Sequence, residues 1–194
     1  CIYGHIFVDG DGAPYLYFTR IHYENPANGR REAKVHAAPL RRDLSALADS
    51  PTVCMDTYQA WEDAELTGNW CNEGPFVVKH GDRYYMMFST GHYRHQGYSL
   101  GYATAPAPLG PWAKADNNPV VKMDLAAGIA GPGHNCIVES PDRTEWFIVY
   151  HTHISPTEQR RCVAIDRLIF GDDGRLSVKG PTRTPQPLPL GAER

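Results

Sequence analysis

The sequence has little of what would tie a chain to nucleic acid, to a membrane or to a structural metal. Lys and Arg number 19 against 22 Asp and Glu, a formal net charge of −3, so no field of one sign is available for polyanions or anionic lipid. No apolar run approaches the roughly 20 residues that span a bilayer as a helix, and no basic-then-apolar leader opens the sequence. Cysteine occurs five times, an odd number without a C-x-x-C pair, which argues against both a zinc site and a disulfide framework. Free thiols are the expectation, and with no leader pattern they favour a cytoplasmic setting. The first residue is Cys1, which enters a strand pattern directly, so the start is not expected to be a natural one. What is present is a composition of globular type, 42% hydrophobic over 194 residues, enough for one domain with a core of ordinary size.

Strand-forming runs and tight turns recur in three copies. The first reads Gly4-His5-Ile6-Phe7-Val8, a turn Asp9-Gly10-Asp11-Gly12, then Tyr15-Leu16-Tyr17-Phe18. The second runs from Glu73-Gly74-Pro75-Phe76-Val77-Val78 through Gly81-Asp82 to Tyr84-Tyr85-Met86-Met87-Phe88. In the third, Gly133-His134-Asn135-Cys136-Ile137-Val138 leads through Pro141-Asp142 into Trp146-Phe147-Ile148-Val149-Tyr150. Each copy is followed by a further alternating segment, at 35–40, 100–105 and 163–170. Repeated sheet units with Gly/Asp turns predict an all-β propeller of four-stranded antiparallel blades in preference to a sandwich. The expected blades are 1–48, 49–122 with a long loop over 49–70, and 123–178, followed by a proline-rich extended tail over 179–194.

The most telling stretch is Asn72-Glu73-Gly74-Pro75-Phe76-Val77-Val78. Gly74-Pro75 breaks any helix and sends the chain extended into the apolar run. Glu73 therefore stands at the mouth of a hydrophobic strand, between Trp70 and Phe76. A carboxyl group fixed and partly buried beside aromatic walls is a candidate general acid.

Four motifs, in order, resemble glycoside hydrolase family 43. They are Asn72-Glu73-Gly74-Pro75-Phe76, Gly131-Pro132-Gly133-His134-Asn135, Val149-Tyr150-His151-Thr152-His153, and Arg161 with Ile165-Asp166-Arg167-Leu168. The resemblance implies a five-bladed propeller that hydrolyses α-L-arabinofuranosides or β-xylosides of plant polysaccharides with inversion, so the implied partners are arabinose- or xylose-containing oligosaccharides. It implies that Glu73 is the general acid, with a separate carboxylate base activating water about 6.5–9.5 Å away. His134 matches a histidine near the propeller axis that in many members contacts a calcium ion or its waters; by itself it reads equally as a capping or core histidine. Arg161 matches an arginine that reaches the sugar from the last blade, with a surface ion pair as the alternative. Trp70, Tyr93 and His134 join Arg161 as candidate sugar contacts. His151 and His153 alternate on a strand and face one side, which suits hydrogen bonding within the blade better than metal.

Two departures from the family pattern matter. Only three of five blades are accounted for, and the resemblance places the catalytic base on one of the two absent N-terminal blades. Tyr3 stands where relatives carry an aspartate that tunes the acid, and tyrosine supplies no negative charge near neutral pH. Asp56, Glu62, Asp63 and Glu65 in the long loop are the substitute bases available, with nothing in their spacing to single one out. Losing one acid–base partner costs about 10²–10⁴-fold in rate, so the isolated chain is expected to be weak or inactive. The alternative from another class is a non-catalytic carbohydrate-binding or assembly module that stacks sugars on Trp61, Trp70, Tyr93 and Tyr98. Cutting a propeller to three blades uncovers two apolar faces, which predicts self-association or pairing with a polypeptide that carries the missing blades.

Overall fold

Residues 1–22, 31–63 and 68–192 are described by a computed structural model; Glu65, one of the substitute bases, lies outside them. Each copy of the repeat closes as a four-stranded antiparallel sheet. The first comprises β1 (Ile2–Val8), β2 (Pro14–His22), β3 (Arg31–Pro39) and β4 (Thr52–Val53). The second comprises β5 (Asn69–His80), β6 (Arg83–Thr90), β7 (Ser99–Ala105) and β8 (Ala113–Lys114). The third comprises β9 (Gly133–Glu139), β10 (Trp146–Ser155), β11 (Glu158–Phe170) and β12 (Leu176–Val178). The Asp/Gly turns behave as their composition dictates: Gly12 takes φ 78° and its N–H donates to the Asp9 carbonyl at 2.8 Å, closing the β1–β2 hairpin.

The fourth strand of the first blade lies beyond the expected bound at 48, inside the segment read as loop 49–70. Two residues are too few to show a period of two. Their place is fixed by pairing with His36 and Ala37 and by the Cys54 N–H, which donates to the Val35 carbonyl at 2.9 Å. The loop also holds a 3₁₀ turn, Ala60–Asp63. Arg31–Ala33 of β3 run parallel to Asn69–Cys71 of β5, which joins the first two sheets at one end.

The middle blade is covered on both faces, and its sequence shows it. Tyr84, Tyr85, Met86, Met87 and Phe88 are all 5% exposed or less, a run without polar alternation. Met86 and Phe88 pack on Tyr17, Val35 and Ala37 of the first blade. Tyr85 and Met87 point the other way, onto Ile137, Ile148, Tyr150 and Leu168 of the third. The outer blades alternate instead. On β1, His5 and Phe7 contact the middle blade through Phe76 and Tyr84, while Ile6 and Val8 are exposed. On β11, Leu168 is buried and Val163 and Ile165 are exposed. Among its described residues the tail carries no strand, and it crosses the last blade. Thr182 binds Asp166 through its N–H and its hydroxyl, and Arg183 donates to the Gly128 and Ile154 carbonyls. The described cysteines are all free, with Cys54 and Cys71 buried.

Candidate active site

Strand β5 contacts both β1 and β9, and each of the three carries a bulge at the same place. Ile2 pairs with Thr19 and His5 with Tyr17, so Tyr3 and Gly4 together oppose one residue. Glu73 pairs with Ser89 and Phe76 with Met87, leaving Gly74 and Pro75 over. Gly133 pairs with His151 and Cys136 with Val149, leaving His134 and Asn135 over. The first residue of each bulge is left-handed: Tyr3 at φ 58°, Gly74 at 61° and His134 at 47°. That conformation costs a residue with a Cβ about 1–2 kcal/mol. Bulges re-aim side chains beside active sites, and such strain collects where the surroundings enforce it for function.

Glu73 enters the second of these bulges and is 7% exposed. Its Oε1 accepts a hydrogen bond from the Tyr98 hydroxyl at 2.6 Å, and the Cys71 thiol lies close enough for the Glu73 charge to raise its titration. Burial, then the Glu73 charge, pushes the Cys71 thiol well above its ordinary range, so it stays protonated. The Gly74 N–H donates to Thr19 Oγ1 at 3.2 Å, pinning the bulge to the first blade. Glu73 lines a cavity of about 160 Å³ together with Tyr3, Arg31, Glu32, His92 and Tyr93.

A second cavity of about 450 Å³ follows the axis on the far side of the bulges, lined by Tyr3, His5, Phe76, His134, Asn135 and His151 among others. The Tyr3 and His134 rings meet edge to face at 4.5 Å. Both side-chain polar atoms of Asn135, and Nε2 of His151, are buried without a partner. Burial lowers the titration of His5 and His134 and takes His151 down to about 3, so these rings are neutral near pH 7. Calcium takes six to eight oxygen ligands, largely carboxylate and carbonyl. This wall offers imidazole nitrogen and one amide, and the described residues hold no group of three or more His, Cys, Asp or Glu able to grip a metal. The residues present do not fit a directly ligated calcium ion.

Of the residues singled out from sequence, the fold brings Glu73, Tyr3 and Tyr93 to one cavity and Tyr3 and His134 to the other. The Arg161 guanidinium lies 5.4 Å over the Tyr93 ring, and Arg94 sits at the same distance. Arg161 is near enough to Tyr3 and His134 to bias their titration, and it makes no ion pair among the described residues. Trp70 does not line the Glu73 cavity. One proposed sugar platform is corrected: Tyr98 is 1% exposed, so its ring has no face for a sugar, while Trp61 is half-buried against Phe88. His153 Nε2 lies 3.3 Å from the Tyr93 carbonyl of the middle blade, so its contact runs between blades and not within its own, and His151 Nε2 has no partner among the described residues.

The described loop carboxylates are engaged away from Glu73. Asp56 pairs with Lys34 at 2.6 Å, Asp63 accepts from the Gly68 N–H at 2.9 Å, and Glu62 forms a fully buried ion pair with Lys114. Sequence reasoning passed over Glu32, which shares the Glu73 cavity at 3% exposure and pairs with Lys34 at 3.3 Å. Its setting, Arg30-Arg31-Glu32-Ala33-Lys34, reads as a solvated charged edge; the parallel pairing of β3 with β5 is what buries it.

Comparison with known proteins gives one family. The family description "Glycosyl hydrolases family 43" matches residues 1–176. Among solved structures, a thermostable family-43 glycoside hydrolase is 45% identical and superposes with a TM-score of 0.92, over 98% of this chain and 61% of its own. A beta-D-galactofuranosidase of Aspergillus niger is 30% identical over 88% of this chain and 43% of its own length. An extracellular exo-alpha-(1->5)-L-arabinofuranosidase of Streptomyces avermitilis is 32% identical over 54% of this chain and 22% of its length. The chain thus spans less than two thirds of each of these relatives.

Proposed function

Because the chain belongs to glycosyl hydrolase family 43, we propose that it carries the acid half of an inverting glycosidase that acts on α-L-arabinofuranosides or β-xylosides of plant polysaccharides. The observation that carries this reading is the Glu73 carboxyl group. It is buried, fixed by a bulge and by the Tyr98 hydroxyl, and turned onto a small cavity whose rim holds Tyr93 beneath Arg161. In the reaction, Glu73 protonates the glycosidic oxygen as the C1–O bond breaks, and a water attacks C1 from the opposite face with a carboxylate base taking its proton. Arg161 meets the sugar, its guanidinium donating to hydroxyl oxygens, and the Tyr93 ring beneath it holds the guanidinium in place. A furanoside is favoured, since both curated relatives are named for furanosides.

The base comes from outside these three blades. Glu32, the other described carboxylate of the cavity, is held by Lys34 at 3.3 Å through Oε2. Calcium near His134 rests on the resemblance alone, and no step runs through it. The test is release of p-nitrophenol from the arabinofuranoside and the xyloside, by the chain alone and after addition of the two remaining blades of a relative. Weak release alone, restoration on addition, and loss with Glu73→Gln are expected. Full activity of the chain alone that vanishes with Glu32→Gln would overturn the assignment of the base, and activity untouched by Glu73→Gln would overturn the acid.

A further inference from the structure

Behind Glu73 the Ser89 and Tyr98 hydroxyls are buried side by side. The His134 N–H donates to Ser89 Oγ at 2.8 Å. The Ser89 hydroxyl lies close enough to the Tyr98 hydroxyl to oppose the rise in its titration. Tyr98 donates its only proton to Glu73 Oε1 at 2.6 Å. Ser89 is fully buried and Tyr98 is 1% exposed, so water does not compete for these groups. The ring has no freedom either. It stacks on His151 at 5.8 Å, and a Cβ on Gly133 would lie 2.0 Å from it, so that glycine is what admits the ring. Burial, and next the Glu73 charge, pushes Tyr98 well above the ordinary tyrosine range. Its proton therefore stays on its own oxygen across the working range and serves as a fixed donor.

We propose that Tyr98 is the positioning residue of the general acid: its hydroxyl holds Oε1 of Glu73, so that Oε2 is the oxygen that hands a proton to the leaving group. This rests on the reading of Glu73 given above. A carboxyl group with one oxygen clamped by a donor carries its own proton on the other. As the C1–O bonding pair departs with the glycosidic oxygen, that oxygen takes the Oε2 proton, and the charge left on the carboxylate is met by a donor already in place. Without Tyr98 the carboxyl group turns, and the proton is presented in the wrong direction for part of the time.

The variant that tests this is Tyr98→Phe, which keeps the ring and removes only the hydroxyl, assayed in the chain together with the remaining blades. On a methyl or sugar aglycone, which needs protonation to leave, kcat is expected to fall about 10- to 100-fold. On the 2,4-dinitrophenyl glycoside, whose leaving group needs no acid, it is expected to change by less than about threefold. Equal losses on both glycosides would mean a structural role and overturn the proposal. A readout free of turnover is the ionisation of Tyr98, followed by NMR with ring-labelled tyrosine in the isolated chain. Glu73→Gln is expected to lower the pH at which Tyr98 ionises, and an unchanged midpoint would refute the Tyr98–Glu73 bond. If no glycoside is turned over, the assignment of Glu73 fails and the catalytic half of this proposal falls with it, while the NMR comparison still decides the bond.

Discussion

Gly74 and His134 hold the same bulge position in neighbouring blades, and the first lacks a side chain where the second has one. A Cβ on Gly74 would lie 2.8 Å from His134 Nδ1, and Gly74 has φ 61°. Gly74→Ala therefore meets two costs, backbone strain and displacement of the His134 ring from the axis. A loss of about 2–3 kcal/mol is expected in urea denaturation. Gly81→Ala is the control, since Gly81 has φ 57° but nothing within 4 Å of the added carbon, and should lose only about 1 kcal/mol. Equal losses at the two positions would mean that the contact with His134 carries no weight.

The repeat was legible because it is written in local chemistry. Asp/Gly turns and runs such as Tyr84 to Phe88 specify hairpins and a blade buried on both faces without reference to anything distant. Glu73 could be found for the same reason, since Gly74-Pro75 marks the strand mouth. The kinship of Tyr3, Gly74 and His134 could not be read. A bulge is a property of the pairing register, and three unlike residues in one conformation share no sequence signal. Tyr98 was misjudged because the residue that admits its ring, Gly133, is small and distant in sequence. Glu32 was missed because a parallel pairing between blades buries it.

Acid should destabilise the chain before its carboxylates titrate. The His151 ring is held down to about 3 by burial against an ordinary value near 6.5 in the unfolded chain. Between those limits the unfolded state binds a proton that the folded state refuses, so stability is full above about pH 6.5 and falls as pH drops toward 3. His5, His92 and His134 are lowered by burial too and act with the same sign. Urea midpoints measured from pH 7 to pH 5 should fall steadily. His151→Phe, which keeps a ring against Tyr98, should reduce that slope by up to one proton per molecule; an unchanged slope would show that His151 protonates readily in the folded chain.

The Glu62–Lys114 pair ties the loop before β5 to the last strand of the same blade. Both side chains are fully buried. Glu62 also accepts from the Tyr58 and Gln59 N–H groups at 2.6 and 2.7 Å, and Lys114 donates to the Asp56 carbonyl. Lys114→Met leaves an uncompensated carboxylate in the interior and should cost about 3–5 kcal/mol. Adding Glu62→Gln keeps an acceptor for the two N–H groups and removes the charge, so the double variant should be more stable than the single. Additive losses in that cycle would mean that the two residues are not coupled.

The uncovered faces of the outer blades give the last expectation. On β1, Ile6 and Val8 are 47% and 56% exposed; on β11, Val163 and Ile165 are 74% and 44% exposed, with Val138 of β9 at 43% beside them. These are positions whose counterparts on the middle blade are buried by a neighbouring sheet. The two faces differ, one flat against β1 and one partly crossed by the tail from Thr182 to Leu188, so a contact between copies joins first blade to last blade and is heterologous. Covering both calls for a contact on the order of 1,000 Å². Light scattering should therefore show mass rising with concentration, and either Ile6→Lys or Val163→Lys should suppress it, because a heterologous contact needs both faces. Addition of the two remaining blades of a relative should compete with self-association and bring activity with them. A single monomeric species at every concentration, with no binding of an apolar dye, would show that these faces need no cover.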